Sequence, residues 1–441
     1  MLPQLIWATI LVCVVSAICA YASTHDVFHP AILLSGFCVF MYGYMPLSLI
    51  QDQTLYSYLT ESQAEFTQTL ALFGILAMMV GCFAGGARSG GSHSAQPASE
   101  FSWQILQRGA YVLGAAGLVS WLITIRGAGG FVSAFNAAGG NGWSDIGYVR
   151  EAVYLLVVAL ILLLTPQVFP HRDKKWFVAV IAFTIPWLIQ GLLGARRGPT
   201  FIIAGTLGMS WYLARGRRPS LPLLIGSAVA LGTLMLFLVT NRDRIYLGSD
   251  FSNMNTDVTQ MVTDVNEANE YIFGTGCIET ARRTDHYFWG RRYLAYVIIR
   301  PIPHQIWPNK YEDFGVGELT QNAGVAGKGL AEIMGWNEIP GAAAGMIADL
   351  WVEFSWLMLP ALFGIGYGYG RVWKRTVEEG GPWNSQFTII SILAIYLVTQ
   401  SGEAVIFRFF ILSIPTWWVW RKARQRAVPE RLTEEQQLCA S

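Results

Sequence analysis

Long apolar runs separated by short polar turns set the pattern of this chain. Eleven stretches are each long and apolar enough to cross a bilayer as a helix: about 3–22, 28–50, 67–86, 109–126, 150–169, 176–194, 199–215, 220–240, 345–370, 385–400 and 404–421. The seventh is short, and the last two read equally as one re-entrant pair. The pattern predicts an all-α polytopic membrane protein with about eleven transmembrane helices. Eight fall within 1–240 and three within 346–421; a polar insertion occupies 241–345 and a tail 422–441.

Composition sharpens this picture. Hydrophobic residues make up 53% of the 441 and charged residues only 13%, against about a quarter charged in soluble domains. A formal net charge of +1 argues against nucleic acid as a partner. The six cysteines have no CxxC spacing, so no disulfide framework is readable, and they read as small apolar fillers. Met1-Leu-Pro-Gln runs straight into apolar sequence without a basic region, which predicts a retained first helix.

Basic residues in the short loops orient the chain. Arg172-Asp-Lys174-Lys175, Arg215-Gly-Arg217-Arg218, Arg371-Val-Trp-Lys374-Arg375 and Arg421-Lys422-Ala-Arg424-Gln-Arg426 each follow an odd-numbered stretch. The excess of Lys and Arg on one side marks that side as cytoplasmic. The N-terminus and the 241–345 insertion are then expected outside, and the C-terminus inside. The Gly/Ser-rich stretch from Gly85 to Ser99 reads as a cytoplasmic linker.

The insertion carries the candidate chemistry. It holds nine basic and thirteen acidic residues, a net of −4, yet its basic residues bunch between 282 and 310. Five arginines fall within 19 residues, interleaved with aromatics: Arg282-Arg283-Thr-Asp285-His286-Tyr287-Phe-Trp289-Gly-Arg291-Arg292-Tyr293, then Arg300. Next comes Pro301-Ile-Pro303-His304-Gln-Ile-Trp307-Pro308-Asn309-Lys310, in which prolines fix the backbone. Arginine forks suit phosphate oxygens. Arg283, Tyr287 and Arg291 share a four-residue repeat, which on a helix gives one face. Arg197, in an outer turn, and Arg408, inside the last apolar run, add cations that need partners. Asp349 and Glu353 stand four apart in the ninth stretch and hence on one helical face, where they would either pair with Arg408 or Arg197 or line the floor of a polar cavity. Glu279, Asp285, His286, His304 and Glu403 are candidates for a general base. Tyr287, Trp289, Tyr293 and Trp307 offer flat surfaces for sugars, or equally anchors at the membrane interface. No carboxylate or histidine cluster outside has the spacing of a metal site, so no metal and no cofactor is expected.

Three features in order resemble the Wzy-type polymerases of O-antigen and polysaccharide repeat units, a group of bacterial membrane oligosaccharide polymerases. They are Gly194-Ala-Arg196-Arg197-Gly198, the segment Ile302-Pro303-His304-Gln-Ile-Trp307-Pro308-Asn-Lys310, and Glu403 with Arg408 at the last span. The resemblance covers about residues 190–410. His304 stands where an arginine is common and Tyr311 where a proline often follows the lysine. The resemblance implies a metal-independent glycosyltransferase of GT-C-like fold in the bacterial inner membrane. Its donor and acceptor are oligosaccharides linked to undecaprenyl pyrophosphate, and the insertion is its catalytic loop. Arg197, Arg283, Arg291, Arg300, Arg408 and Lys310 would bind pyrophosphate. It also implies, as partners, a chain-length regulator and a flippase of the same pathway. Two alternatives stand beside it: an O-antigen ligase-like transferase, and a transporter of lipid-linked oligosaccharide.

Overall fold

The computed structural model describes residues 1–87, 101–137, 150–249, 254–257, 261, 270–299, 302, 306–314, 316, 329–337 and 343–440, without the side chains of 197, 239 and 425–440. Among these residues the protein is all-helical. The principal helices are α1 (Leu2–Thr24), α2 (Pro30–Gln51, with a π-turn at Phe40–Tyr44), α3 (Glu61–Gly86), α4 (Trp103–Gly127), α5 (Leu155–Leu163) and α6 (Lys174–Leu192). They continue with α7 (Arg197–Ala214), α8 (Leu221–Thr240), α9 (Glu270–Thr284), α10 (Gly345–Phe354), α11 (Met358–Glu378), α12 (Pro382–Thr399) and α13 (Gly402–Ala440). Eight helical stretches among the described residues are long and apolar enough to cross a membrane. The chain is an all-helical, multi-pass membrane protein.

Several expected boundaries move. The stretches at 150–169, 199–215 and 385–400 are helical as α5, α7 and α12 but fall outside those eight. The ninth stretch is broken: α10 ends at Phe354, and Ser355 takes φ 50, a left-handed value that a serine rarely adopts and that no helix interior accommodates. Gly85 and Gly86, read as the start of a linker, belong to the packed end of α3; residues 88–100 lie outside the described residues. The tail from 422 is helical, continuing α13 to Ala440.

The chain divides into two units, residues 1–88, 263–374 and 393–407 in one and 89–262, 375–392 and 408–441 in the other. In the first, α1 turns Ile6, Thr9, Cys13, Ser16 and Ala20 inward at alternating spacings of three and four, while Trp7, Leu11, Val15 and Ile18 face outward. Large apolar groups outside and small ones inside suit lipid and not water. Two glycine pairs bring α3 and α11 into backbone contact. A Cβ built at Gly81 would lie 2.2 Å from the Phe363 carbonyl oxygen, and one at Gly366 2.0 Å from that of Met78. Gly85 and Gly370, each four residues further on, are as tightly placed, at 2.1 Å from Tyr367 O and 2.3 Å from Cys82 O. Packing between membrane helices relies on such close approach, since lipid supplies no hydrophobic drive between them.

Helix α9 lies within the sequence read as an outer loop, yet every residue from Glu270 to Ala281 is buried in the first unit. A polar seam fixes it. The Tyr271 hydroxyl lies 3.2 Å from both Ala64 O and Gln68 Oε1, and Gln68 Nε2 donates to Thr9 Oγ1 and Tyr42 O at 2.9 Å. Buried side-chain amides and hydroxyls hold position only when so partnered.

In the second unit, α5 is buried along residues 156–163 and packs on α4, α6 and α7. Its nine residues are too few to cross a bilayer. Within this unit Trp420 Nε1 donates to Ser385 Oγ at 3.1 Å, tying the parts of α12 and α13 that belong to it.

Candidate functional site

Helix α10 starts where Gly345, at φ 73, donates its N–H to Gln400 O at 2.8 Å. Glycine takes that left-handed backbone without a Cβ penalty. Ile347 N then donates to the Tyr42 hydroxyl at 3.0 Å, which satisfies one of the orphan N–H groups of the first turn. One helical turn separates Asp349 from Glu353, so both carboxylates share a face, and both are wholly buried.

The segment after α9 folds back onto the other end of α10. Phe288 N donates to Val352 O at 3.1 Å and Trp289 N to Glu353 O at 2.7 Å. Gly290 N donates to Glu353 Oε2 at 2.7 Å. Three consecutive loop amides thus satisfy carbonyls and a carboxylate that a broken helix leaves open. Gly290, at φ 83, then starts the single turn Arg291–Leu294, which sends Arg291 outward and Arg292 inward.

Arg292 is the hub. Its Nε donates to Glu353 Oε1 at 2.5 Å and its Nη2 to Asp349 Oδ1, and Nε also lies 3.3 Å from Glu403 Oε1. Tyr293 Oη, at 2.5 Å, and Gly402 N, at 2.7 Å, both donate to Asp349 Oδ2. Every oxygen of Asp349 and Glu353 therefore has a donor. Gly402 opens α13, so the positive end of that helix faces this cluster and favours its anions. Burial opposes charge on Arg292, but the carboxylates of Asp349, Glu403 and Glu353 outweigh it and hold the guanidinium proton more firmly than usual. Burial, and then the Asp349 charge, push the Tyr293 hydroxyl up, so Tyr293 keeps the proton it donates to Asp349.

Glu403 differs from its neighbours. Its side chain keeps 11% of its surface accessible, whereas those of Arg292, Asp349 and Glu353 have none. Its Oε1 has no hydrogen-bond partner among the described residues, and neither does Arg292 Nη1, although both atoms are buried.

The expected site residues distribute unevenly. Glu403 and Tyr293 enter the cluster. Arg291, Trp289, His286 and Asp285 are exposed on the segment that caps α10, and Tyr287 is half-buried there, its ring 6.0 Å from Trp289 and 6.1 Å from Trp351. Arg283 lies at the end of α9, which stops at Thr284 because Asp285 adopts φ 50. No helical repeat therefore joins Arg283 to Tyr287 and Arg291. Arg283 and Arg282 also have a local acid: buried Glu279 accepts from Arg283 Nε at 2.6 Å and lies 3.0 Å from Arg282 Nη2.

Lys310 is buried, donating to Ile302 O at 2.5 Å, and Trp307 Nε1 donates to Asp313 Oδ2 at 2.6 Å. Arg408 belongs to the second unit, where its Nε donates to the Tyr154 hydroxyl at 2.6 Å. Arg300, His304 and the side chain of Arg197 lie outside the described residues. Its neighbour Arg196 is held low in proton affinity by burial, then by Arg150 and Arg242, so cations gather in the second unit as well.

The side chain of Arg197 lies outside the described residues; among those of the first unit, the counter-charge for Asp349 and Glu353 is Arg292, not one of the two arginines expected. Sequence offered one signal for it: two acids four apart in an apolar helix demand a cation. It offered no means to choose among the fourteen arginines from Arg197 to Arg408 without the turn at Gly290. The described residues contain no group of three His, Cys, Asp or Glu side chains arranged to hold a metal ion. No protein-family model, curated protein or solved structure matches the chain.

Proposed function

We propose that this protein is a membrane glycosyltransferase that joins oligosaccharide repeat units carried on undecaprenyl pyrophosphate at the outer face of a bacterial inner membrane, with about eleven membrane crossings. One observation carries the reading. A single short segment presents exposed Arg291 and Trp289 and half-buried Tyr287, and is fastened by the amides of residues 288–290 to the helix end whose buried Glu353 shares the Arg292 cluster with Glu403. Groups suited to a phosphate, to a sugar face and to a proton therefore share one rigid support within the first unit. Chemistry at an anomeric carbon bearing a pyrophosphate needs these three functions: charge neutralisation of the leaving group, orientation of the sugar, and removal of the acceptor proton.

In this reading Arg291 faces the departing pyrophosphate, Trp289 and Tyr287 stack on sugars, and the Arg292 cluster holds the acid–base group. The basic short loops support the outward placement of residues 241–345. The test is reconstitution: purified protein in vesicles, given lipid-linked repeat units, yields a ladder of longer glycans and free undecaprenyl pyrophosphate. Unchanged repeat units after prolonged incubation overturn the proposal.

A second reading has its own support. A broken helix with charges at the break is also the way many transporters build a substrate site. A transporter of lipid-linked oligosaccharide would move repeat units across vesicles without lengthening them, so the same reconstitution separates the two.

A further inference from the structure

Two buried atoms in the Arg292 cluster are left without hydrogen-bond partners among the described residues: the donor Arg292 Nη1 and the acceptor Glu403 Oε1. The two side chains are neighbours: Arg292 Nε lies 3.3 Å from Glu403 Oε1, and Nη1 belongs to the same planar guanidinium. Leaving such groups unmatched in a buried site is unfavourable, and more so when they are charged. The carboxylate oxygens of Asp349 and Glu353 are all taken, accepting from Arg292, Tyr293, Gly290 and Gly402, and Tyr296 hydrogen-bonds the Glu403 carboxylate.

The chemistry of the unmatched pair is selective. A phosphate oxygen would accept from Arg292 Nη1 but be repelled by Glu403. An ammonium would donate to Glu403 but be repelled by Arg292. A hydroxyl does both at once, accepting from one and donating to the other. Among the charged side chains of the cluster, Glu403 is the one that keeps exposed surface, 11% of its side chain, with Oε1 itself buried.

Resting on the glycosyltransferase reading, we infer that Arg292 Nη1 and Glu403 Oε1 grip the acceptor sugar's hydroxyl and that Glu403 is the catalytic base. The acceptor O–H bond breaks and its proton passes to Glu403. The oxygen bonds to the anomeric carbon of the donor, and the bond from that carbon to the pyrophosphate oxygen breaks, its electron pair leaving with undecaprenyl pyrophosphate. With all three acids ionised the cluster holds two more negative charges than Arg292 offsets, and the transfer reduces that surplus to one. Asp349 and Glu353 stay bound to the guanidinium throughout and act as positioning residues.

The experiment uses full-length protein in vesicles and, as probe, the lipid-linked repeat unit extracted from a strain lacking the gene. Glu403→Gln keeps the shape but cannot take a proton, and it should slow chain extension at least about a hundredfold. Azide needs no deprotonation, so adding it to the Glu403→Gln protein should restore consumption of the lipid-linked donor, with glycosyl azide as product and no polymer. That rescue requires a folded protein with an intact donor site. Extension by Glu403→Gln within threefold of the parent overturns the inference and leaves an ordered water as the occupant. A slow variant that azide fails to rescue overturns it too, making Glu403 a structural member of the cluster. A parent protein that does not extend the probe at all overturns the glycosyltransferase reading itself, and this inference with it.

Discussion

Arg292 Nε donates to Glu353 Oε1 at 2.5 Å, and neither side chain has any surface exposed. A loop arginine thus closes onto an acid near the broken end of a helix, with Asp349 one turn earlier on the same guanidinium. Removing one partner strands a buried charge, which costs about 3–5 kcal/mol. Arg292→Ala, which strands buried Asp349 and Glu353, should lower the thermal midpoint of the purified protein by an amount matching that loss. Arg283→Ala should stay within about 1 kcal/mol, because Arg283 is exposed and Arg282 remains on Glu279. Equal melting of Arg292→Ala and Arg283→Ala would show that the buried pair is not what holds the segment.

The glycine contacts make a second prediction. Gly366→Ala places a Cβ against the Met78 carbonyl, whereas Gly364 and Gly368 on the same helix have nothing within 4 Å of that position. Overpacking of this kind costs about 1–3 kcal/mol. Gly366→Ala should reduce stability by that amount, and Gly364→Ala and Gly368→Ala should leave it unchanged or slightly raised. Melting in detergent and abundance in membranes both report it.

Tyr293 gives a pH dependence with a definite sign. Its hydroxyl titrates above the ordinary tyrosine value in the folded protein, through burial and Asp349. The folded state therefore keeps a proton that the unfolded chain gives up near about pH 10. Its contribution is complete below that value and is lost as pH rises toward the folded value. Stability of the parent protein should fall from about pH 9 to pH 11, and Tyr293→Phe should flatten part of that fall. An identical slope in the variant would remove Tyr293 from the account.

Arg291 tests the leaving-group role apart from folding, since its side chain is exposed and the turn that carries it is held by backbone hydrogen bonds. Arg291→Ala should lower chain extension about a hundredfold or more, with an unchanged melting point. Arg291→Lys keeps the charge but loses the fork, and should recover only part of the rate. Full activity in both variants would assign Arg291 to lipid headgroups.

How much of this was written legibly in the sequence differs by level. Helices longer than about eighteen apolar residues were readable, because lipid imposes one composition over a fixed length. The α10–α11 break was not, since the apolar pattern runs through Phe354-Ser355-Trp356 without a proline or glycine to mark it. The Gly81–Gly85 and Gly366–Gly370 spacings stood in plain view as small residues four apart, although only the structure pairs them. Glu403 and Tyr293 were legible as candidates from residue type and position. Arg292 was not, because Arg291 and Arg292 are adjacent and only the turn at Gly290 decides which one faces inward. Helix α9 was hidden by its polarity: Glu270, Thr275, Glu279 and Thr280 read as solvated residues, yet all are buried.

The most direct measurement is the glycan length profile of a strain lacking this gene. The account predicts that single repeat units accumulate on undecaprenyl pyrophosphate at the outer face, and that the intact gene restores the ladder while the Arg291→Ala allele does not. An unchanged ladder without the gene, or lipid-linked repeat units trapped at the cytoplasmic face, would contradict it.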